Sequence, residues 1–547
     1  MSKGSSAQPV PRWGCFEHLL SSTSVYENPF QDVALQVTFT APSGRAVIVD
    51  AFWDGNASWR VRFSPDEVGE WQFRSACSNP DDRGLESITG VFVCGEPTET
   101  TAHAKHGPLR LSANRRHLVH ADGTPFFWLA DTAWNGPLRA TQEEWDQYLT
   151  QRSRQKFTAV QWVTTQWIGE PNGDYTGTLA YTGLETITPD AAYFRRMDEK
   201  VRATNRRNLL SVPVLLWAAG WSTRDNNWVN PGYSLPEDQA IKLARYMVAR
   251  WGAYFVAWIL PGDADYRGDN APRWQRIGRA VFGDTPHAPV SLHPGGMQWN
   301  LDEFQHESWL DIIGYQSGHG DDEATLAWLV TGPPAHNWKR EPARPFINLE
   351  PPYENHLAYQ SRKPHDAHSV RRALYWSLLV SPTAGVTYGG HGVWGWDDGS
   401  GPPMGHPNTG TPLPWRDALK MPAAEQLQHL AQLFTSVDWW QLRPSPDLLA
   451  QPSSPGNSDK FVAASSTVDG LALIYTPVEG CVELRRSAFP EDVSALWFDP
   501  RTGQRQSAVL QVTPESIQAQ TPGSGDWILL LGRNVYLPAN HAVGANA

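Results

Sequence analysis

Short apolar runs alternate with stretches of helical periodicity from about residue 107 to residue 440, and this alternation occurs eight times. Such runs are typical of parallel strands with crossover helices between them. Eight βα units in about 330 residues predict an α/β fold, a (β/α)8 TIM barrel, with a doubly wound sheet as the alternative. The predicted strands span Phe126 to Ala130, Ala159 to Val163, Leu209 to Trp217, Phe255 to Leu260, Pro289 to Leu292, Asp311 to Tyr315, Pro345 to Leu349 and Gly385 to Tyr388.

Strand-like segments flank this central region on both sides. Runs such as Asp32 to Phe39 and Ala46 to Phe52 predict an N-terminal β-sandwich over residues 1–103. After a Pro- and Ser-rich linker, runs such as WILLL predict a C-terminal β-sandwich over residues 441–547. The barrel then covers residues 104–440. Three domains fit a chain of 547 residues, because single cores stop growing at roughly 250 to 300 residues.

The composition argues against several classes of function. A formal net charge of -12 and a pI near 5.8 disfavour a nucleic-acid partner, which needs concentrated Lys and Arg. No run approaches the roughly 18 apolar residues of a membrane span. The first residues also lack the apolar run of a secretory signal, so we expect a cytoplasmic protein. The pattern carries no signal for an oligomeric state.

No cofactor or metal is expected either. The four cysteines lack any CxxC spacing. Gly390 to Gly395 match GxGxxG, but no helix pattern follows them, so the segment fails as a dinucleotide motif. His365 and His368 lie three residues apart without a third ligand nearby, and we interpret them as part of a helix start.

Tryptophan is unusually common, with 27 residues in the chain. Most of these side chains are expected in the core. Several, however, lie beside Gly, Asp, Asn or His in predicted loops. An indole offers a flat apolar face and one N–H donor, which suits the mixed C–H and hydroxyl surface of a sugar. The aromatic loops therefore predict a carbohydrate substrate.

The active site of such a barrel lies at the carboxyl ends of its strands, so the residues that follow each strand are the candidates. They are acidic and aromatic, with no thiol and no lysine. In chain order they include Asp131 and Trp134, Trp167 after the second strand, Trp217 and Trp221 at the third, Asp263 and Asp265, His293, Tyr315 and Gln316, Glu350, and His391 and Trp394.

This set suits cleavage of a glycosidic bond. The reaction needs one carboxylic acid to protonate the leaving oxygen and one carboxylate to attack the anomeric carbon. Asp263 after strand 4 and Glu350 after strand 7 provide such a pair on opposite sides of the barrel mouth. If their carboxyl groups are about 5 to 5.5 Å apart, the enzyme retains the anomeric configuration.

The chain also resembles the apiosidase-like glycoside hydrolases, in which a barrel is flanked by small β-domains. The resemblance covers most of the sequence. It depends on LVHADGTPFFWLADTAWN at Leu118 to Asn135, WILPGDADY at Trp258 to Tyr266, PFINLEPPYEN at Pro345 to Asn355 and AGVTYGGHGVWGW at Ala384 to Trp396. By this resemblance Asp263 is the acid/base, Glu350 is the nucleophile, and the substrate is a terminal pentose or furanoside.

One departure from the family pattern concerns the acid. Members tend toward Gly-Gly-Asp, whereas this chain has Pro261-Gly262-Asp263, followed by a second acid at Asp265. Asp265 is therefore an alternative acid. We further interpret Tyr315 as a hydrogen-bond partner of the nucleophile. Sugar hydroxyls are expected to contact Asp131, Gln161, His293, His391 and Trp394.

Two other classes of function stay open on the sequence. A non-catalytic carbohydrate-binding protein would use the same aromatic side chains, with the acids as simple hydrogen-bond acceptors. A polysaccharide lyase would need a Tyr or His base together with Arg or Lys in the cleft, and these cations are scarce at the strand ends.

Overall fold

A computed structural model describes residues 9–219, 229–283, 285–451 and 456–533 of the chain. Trp221, expected at the end of the third strand, lies outside these residues. Within them, eight parallel strands form one sheet: β1 (Trp128–Thr132), β2 (Ala159–Val163), β3 (Leu210–Trp217), β4 (Trp258–Gly262), β5 (Val290–Ser291), β6 (Ile313–Gln316), β7 (Phe346–Glu350) and β8 (Gly385–Gly389).

The sheet closes on itself. Its strand order is β5-β4-β3-β2-β1-β8-β7-β6, and a parallel bridge between Ser291 and Ile312 joins β5 to β6. This closed parallel arrangement confirms the predicted (β/α)8 barrel. All residues of β2, β3, β4, β7 and β8 are buried. Burial on both faces explains why these strands appear in the sequence as continuous apolar runs.

A helix follows each strand: α1 (Gln142–Arg154), α2 (Ala191–Arg206), α3 (Glu237–Trp251), α4 (Ala271–Val281), α5 (Leu301–Phe304), α6 (Glu323–Thr331), α7 (Ala367–Leu379) and α8 (Pro422–Thr435). Polar side chains define several helix starts. Thr141 and Glu144 form a capping box on α1, and the side chain of Asp190 accepts a hydrogen bond from the first turn of α2. His368 lies inside α7, whose N-cap is Asp366.

Two β-sandwiches flank the barrel, as expected. The N-terminal one pairs a five-stranded sheet (Val10–Pro11, Leu35–Thr40, Ala46–Asp50, Gly69–Cys77 and Thr89–Gly95) with a three-stranded one (Phe16–Ser21, Phe52–Trp53 and Ser58–Phe63). The C-terminal one pairs a six-stranded sheet (Arg443–Pro444, Ala463–Ser466, Ala472–Thr476, Ser494–Phe498, Arg505–Ser507 and Trp527–Gly532) with a three-stranded one (Cys481–Arg485, Leu510–Val512 and Ser516–Gln520). Each sandwich has its own apolar core.

Buried ion pairs fasten the N-terminal sandwich to the barrel. Arg62 donates to the carboxylate of Asp198 on α2 at 2.8 Å, and Arg250 on α3 donates to the same carboxylate at 2.7 Å. Arg250 also contacts Asp54 of the sandwich at 3.1 Å. All four side chains are at most 2% exposed. Because charges buried this deeply need their partners, each one depends on the others.

Loss of Asp198 should therefore destabilise the protein strongly. The Asp198→Ala variant leaves two buried guanidinium groups without their shared partner, which costs about 3–5 kcal/mol of unfolding free energy. Denaturant unfolding of both proteins measures the difference. The neighbouring Glu199, which pairs with Arg202 at the surface, provides a control, and Glu199→Ala should cost about 1 kcal/mol or less. Equal losses in the two variants would contradict the expectation.

Candidate active site

A cavity of about 680 Å³ lies at the carboxyl ends of the barrel strands. This is the position at which barrel enzymes bind their substrates, and the volume is in the usual range for small-molecule sites. Of the residues predicted from the sequence, the cavity is lined by Trp134, Trp167, Trp217, Asp263, Asp265, Gln316, Glu350 and Trp394.

Asp263 directly follows β4 and faces Glu350 across the cavity. Its backbone has a positive φ of 24°, a conformation that costs a non-glycine residue about 1–3 kcal/mol. The preceding Gly262 leaves room for the indole of Trp217, since an added Cβ would come within 2.5 Å of that ring. Strain of this kind persists only where the surrounding packing fixes the residue, so Asp263 is held in one position.

The pKa of Asp263 is raised to about 7. Burial is the main cause, the negative charge of Glu350 adds to it, and His293 opposes it. The carboxyl group of Asp263 is therefore substantially protonated near neutral pH, which is the state required of an acid that donates to a leaving group.

Glu350 ends β7 and has the opposite character. Its Oε1 accepts hydrogen bonds from Gln316 Nε2 at 2.8 Å and from His319 Nε2 at 2.9 Å, while His293 Nε2 lies 3.4 Å from Oε2. Burial alone would raise the pKa of Glu350. The contacts with His293 and His319 outweigh burial and hold this pKa well below its usual range. Glu350 is thus an ionised carboxylate beside a protonated acid.

Asp265, the alternative acid, has a different environment. Its carboxylate accepts two hydrogen bonds from the guanidinium of Arg267, at 2.9 and 2.8 Å, at the edge of the cavity. These bonds lower the pKa of Asp265. A carboxylate that is ionised and paired in this way has no proton to donate at neutral pH, so the environment of Asp263 suits the acid better.

Aromatic rings close one side of the cavity. Trp217 packs on Trp167 with ring centroids 4.4 Å apart, and Trp167 contacts His406 at 5.7 Å. His406 in turn packs against Trp394 at 5.0 Å. These four rings, which we call the aromatic wall, connect the loops after β2, β3 and β8. Their faces provide an apolar surface of the kind on which a sugar ring can stack.

Five predicted residues do not line the cavity, and two of them make hydrogen bonds elsewhere in the barrel domain. Asp131 faces outward, where it accepts hydrogen bonds from Tyr148 and Arg152 of α1, both at 2.6 Å. Gln161 faces the barrel interior and donates to Thr132 Oγ1 and to the carbonyl of Leu349. Neither side chain lines the cavity, so the structure does not support the expected contact of Asp131 and Gln161 with sugar hydroxyls.

The other three residues lie around Glu350 and Trp394. Tyr315 packs in the core beside Trp299 and Trp328, and the contact with Glu350 that we expected from it is made by Gln316, the next residue. His293 lies beneath the carboxylate of Glu350, fully buried. His391 accepts a hydrogen bond from Trp394 Nε1 at 3.1 Å and so orients that ring.

Several side chains that line the cavity were not predicted: Tyr233, Asn270, Gln298, His319, Tyr353, His356, Tyr359, His406 and Thr409. They come from loops beyond the strand ends. For His319 and Tyr353 a signal was present, since each follows a strand-end candidate by three residues in a polar, Gly- or Pro-containing segment. The described lining contains no Lys or Arg, so its ionisable groups are carboxyl, imidazole and phenol groups.

Within the described residues, no group of three or more His, Cys, Asp or Glu side chains is arranged to hold a metal ion. Among the helices of the same residues, none is both long enough and apolar enough to cross a membrane.

An acid and an ionised carboxylate facing each other over an aromatic cavity, at the mouth of a (β/α)8 barrel, define a glycoside hydrolase. Residues 112–441 match the family model described as "Apiosidase-like, catalytic domain". The chain therefore belongs to the apiosidase-like glycoside hydrolases, as the sequence motifs predicted. Residues 9–78 match a domain of unknown function, and residues 444–532 match a "Putative collagen-binding domain of a collagenase".

Solved structures share the fold at low sequence identity. A "putative glycoside hydrolase" from Bacteroides vulgatus aligns with a TM-score of 0.72 and 16% identity, over 96% of this chain and 99% of that one. A family 5 glycoside hydrolase from the same species aligns with a TM-score of 0.67 and 20% identity, over 78% and 93% of the two chains. A search of curated proteins gives no significant match.

Proposed function

We propose that this glycoside hydrolase is a retaining enzyme, with Asp263 as the acid/base and Glu350 as the nucleophile. The observation that carries the proposal is the opposite protonation of two carboxyl groups facing the same cavity. In the first step Asp263 protonates the leaving oxygen while Glu350 attacks the anomeric carbon. In the second step Asp263 takes a proton from water, which releases the sugar from Glu350.

The substrate we propose is a neutral terminal sugar, a pentose or furanoside, that the enzyme removes from the end of a glycan or glycoside. The aromatic wall supports exo action, because its rings border the cavity beside Trp394. The absence of Lys and Arg from the described lining supports a neutral sugar over a uronate, and for the same reason disfavours a lyase.

A screen of aryl glycosides and oligosaccharides tests this proposal. Wild-type enzyme should release single sugars from the non-reducing end and nothing longer. Proton NMR of the first product formed should show the anomeric configuration of the substrate. Release of oligosaccharides would contradict exo action, and an inverted product would contradict the double displacement.

The pH dependence follows from the pKa of Asp263. Because this carboxyl group must be protonated in the first step, kcat/KM should fall as the pH rises through about 7. kcat/KM should also fall at low pH, where Glu350 becomes protonated. The low pKa of Glu350 places this acid limb of the profile well below neutral pH. The pH dependence of kcat/KM on a substrate with a poor leaving group measures both the fall at low pH and the fall at high pH, the basic limb. In Asp263→Asn the basic limb should disappear, and a limb that persists unchanged would assign it to another group.

A further inference from the structure

His319 joins the nucleophile to the loop that follows it. The backbone N–H of Tyr353 donates to His319 Nδ1 at 3.2 Å, and His319 Nε2 lies 2.9 Å from Glu350 Oε1. A backbone amide can only donate, so Nδ1 carries no proton here. The ring proton is then on Nε2, and His319 is a neutral donor to the carboxylate.

The imidazole is held on every side. His356 stacks on it with ring centroids 4.1 Å apart and an interplanar angle of 18°, and Tyr353 packs edge-on at 4.6 Å. The carbonyl of His319 accepts hydrogen bonds from the backbone N–H of Tyr359 at 3.0 Å and from His365 Nε2 at 3.1 Å. The ring has therefore lost the freedom to rotate to another partner.

The loop after Glu350 restricts the distance between the two groups that His319 joins. Pro351 and Pro352, both buried, separate Glu350 from Tyr353. Two consecutive prolines have fixed φ angles, which restricts the spacing between the Tyr353 amide and the Glu350 carboxylate. His319 bridges these two groups and closes a hydrogen-bonded ring.

The two oxygens of Glu350 are not equivalent. Oε1 accepts from both Gln316 and His319, whereas Oε2 has the longer 3.4 Å contact with His293. We propose that His319 is a positioning residue that, as a neutral donor, holds Oε1 and leaves Oε2 to attack the anomeric carbon. The inference rests on the proposed function of Glu350.

In the proposed reaction each oxygen of Glu350 has a different role. An electron pair of Oε2 forms the bond to the anomeric carbon, the bond from that carbon to the leaving oxygen breaks, and the proton of Asp263 goes to the leaving oxygen. Oε1 becomes the carbonyl oxygen of the ester and keeps both hydrogen bonds. Water later attacks the anomeric carbon, gives a proton to Asp263 and returns the bonding pair to Oε2. Because His319 is neutral and gives up no proton, Glu350 stays ionised for attack.

NMR of wild-type protein labelled with ¹⁵N-histidine tests the tautomer without any substrate. The His319 signals, identified by their loss in His319→Phe, should show a neutral ring with its proton on Nε2 and none on Nδ1. An imidazolium, or a proton on Nδ1, would overturn the proposal. The ionisable groups that face this ring from the surrounding loops are Glu350, Tyr353, His356, Tyr359, His365, His391 and His406.

Kinetics of two His319 variants test the positioning role. His319→Phe keeps the stacked ring but loses the donor, and kcat should fall about 10²- to 10³-fold with little change in KM. The acid limb of kcat/KM should move to higher pH, because the charged form of Glu350 loses a hydrogen bond. His319→Gln retains an N–H donor and should recover at least about tenfold of the lost kcat.

A His319→Phe variant with wild-type kcat and an unmoved acid limb would overturn the positioning role. So would a folded His319→Gln variant that is no better than His319→Phe. If His319→Phe does not fold, the His319 signal is identified instead as the Nε2–H signal that shifts in Glu350→Gln. The tautomer found in that way then decides whether the proposal holds. If the wild-type enzyme cleaves no glycoside, the proposed function is wrong, but the NMR result on the His319 tautomer stays valid.

Discussion

The Glu350→Gln variant is expected to lose about 10⁴-fold or more of wild-type turnover, because no other group in the described cavity replaces a covalent nucleophile. Glu354→Gln is the matched control. Glu354 is also buried, four residues further along, but its carboxylate accepts from Tyr388 and from the first turn of α8 instead of lining the cavity. Its loss should affect stability more than turnover.

Azide adds a stereochemical test of the same residue. In Glu350→Ala the space of the nucleophile is empty, so azide attacks the anomeric carbon directly and gives a glycosyl azide of inverted configuration. NMR of the product reads the configuration. If Glu350→Gln keeps its turnover, Glu350 is not the nucleophile and the proposed double displacement is wrong.

Removing the acid should give the complementary result. For Asp263→Ala we expect a loss of about 10²- to 10⁴-fold on glycosides with poor leaving groups, and a much smaller loss in the first step on activated aryl glycosides. The covalent intermediate then accumulates, since no base activates water. Azide should rescue turnover and give a glycosyl azide of retained configuration, and mass spectrometry of the stalled protein should show the attached sugar.

Asp265→Ala is the control for this assignment. Asp265 is paired with Arg267, so its removal should neither trap an intermediate nor produce azide rescue. A retained azide product from Asp265→Ala, with wild-type behaviour of Asp263→Ala, would move the acid two residues along the loop.

The sequence predicted the barrel well because its strands are buried on both faces and appear as apolar runs. β2 was predicted with its observed bounds, and β4 was predicted to start three residues early and to end two residues early. The same burial explains the errors in the site. A strand that is apolar on both faces has no alternation, so nothing in the sequence shows that Asp131 points out toward Arg152 or that Tyr315 packs into the core.

The loops were the second source of error. Tyr359 lies nine residues beyond the strand end at Glu350, and His406 lies 17 residues beyond the strand end at Gly389, both in segments without periodicity. Their position at the cavity depends on tertiary contacts, such as the packing of His406 between Trp167 and Trp394. The positions of Asp263 and Glu350 at the cavity were predictable, because each lies at a strand end or next to one and the strand itself places it.

At the junction of β5 and β6, local opening of the barrel affects the contacts of Glu350. β1 and β8 pair over five residues, whereas the bridge at Ser291 and Ile312 joins β5 to β6. Amide hydrogens there should exchange faster than those of β1, because fewer bonds must break to expose them. His293 and Gln316 lie on the two sides of this junction and both contact Glu350. Heating should therefore loosen the carboxylate before the barrel as a whole unfolds.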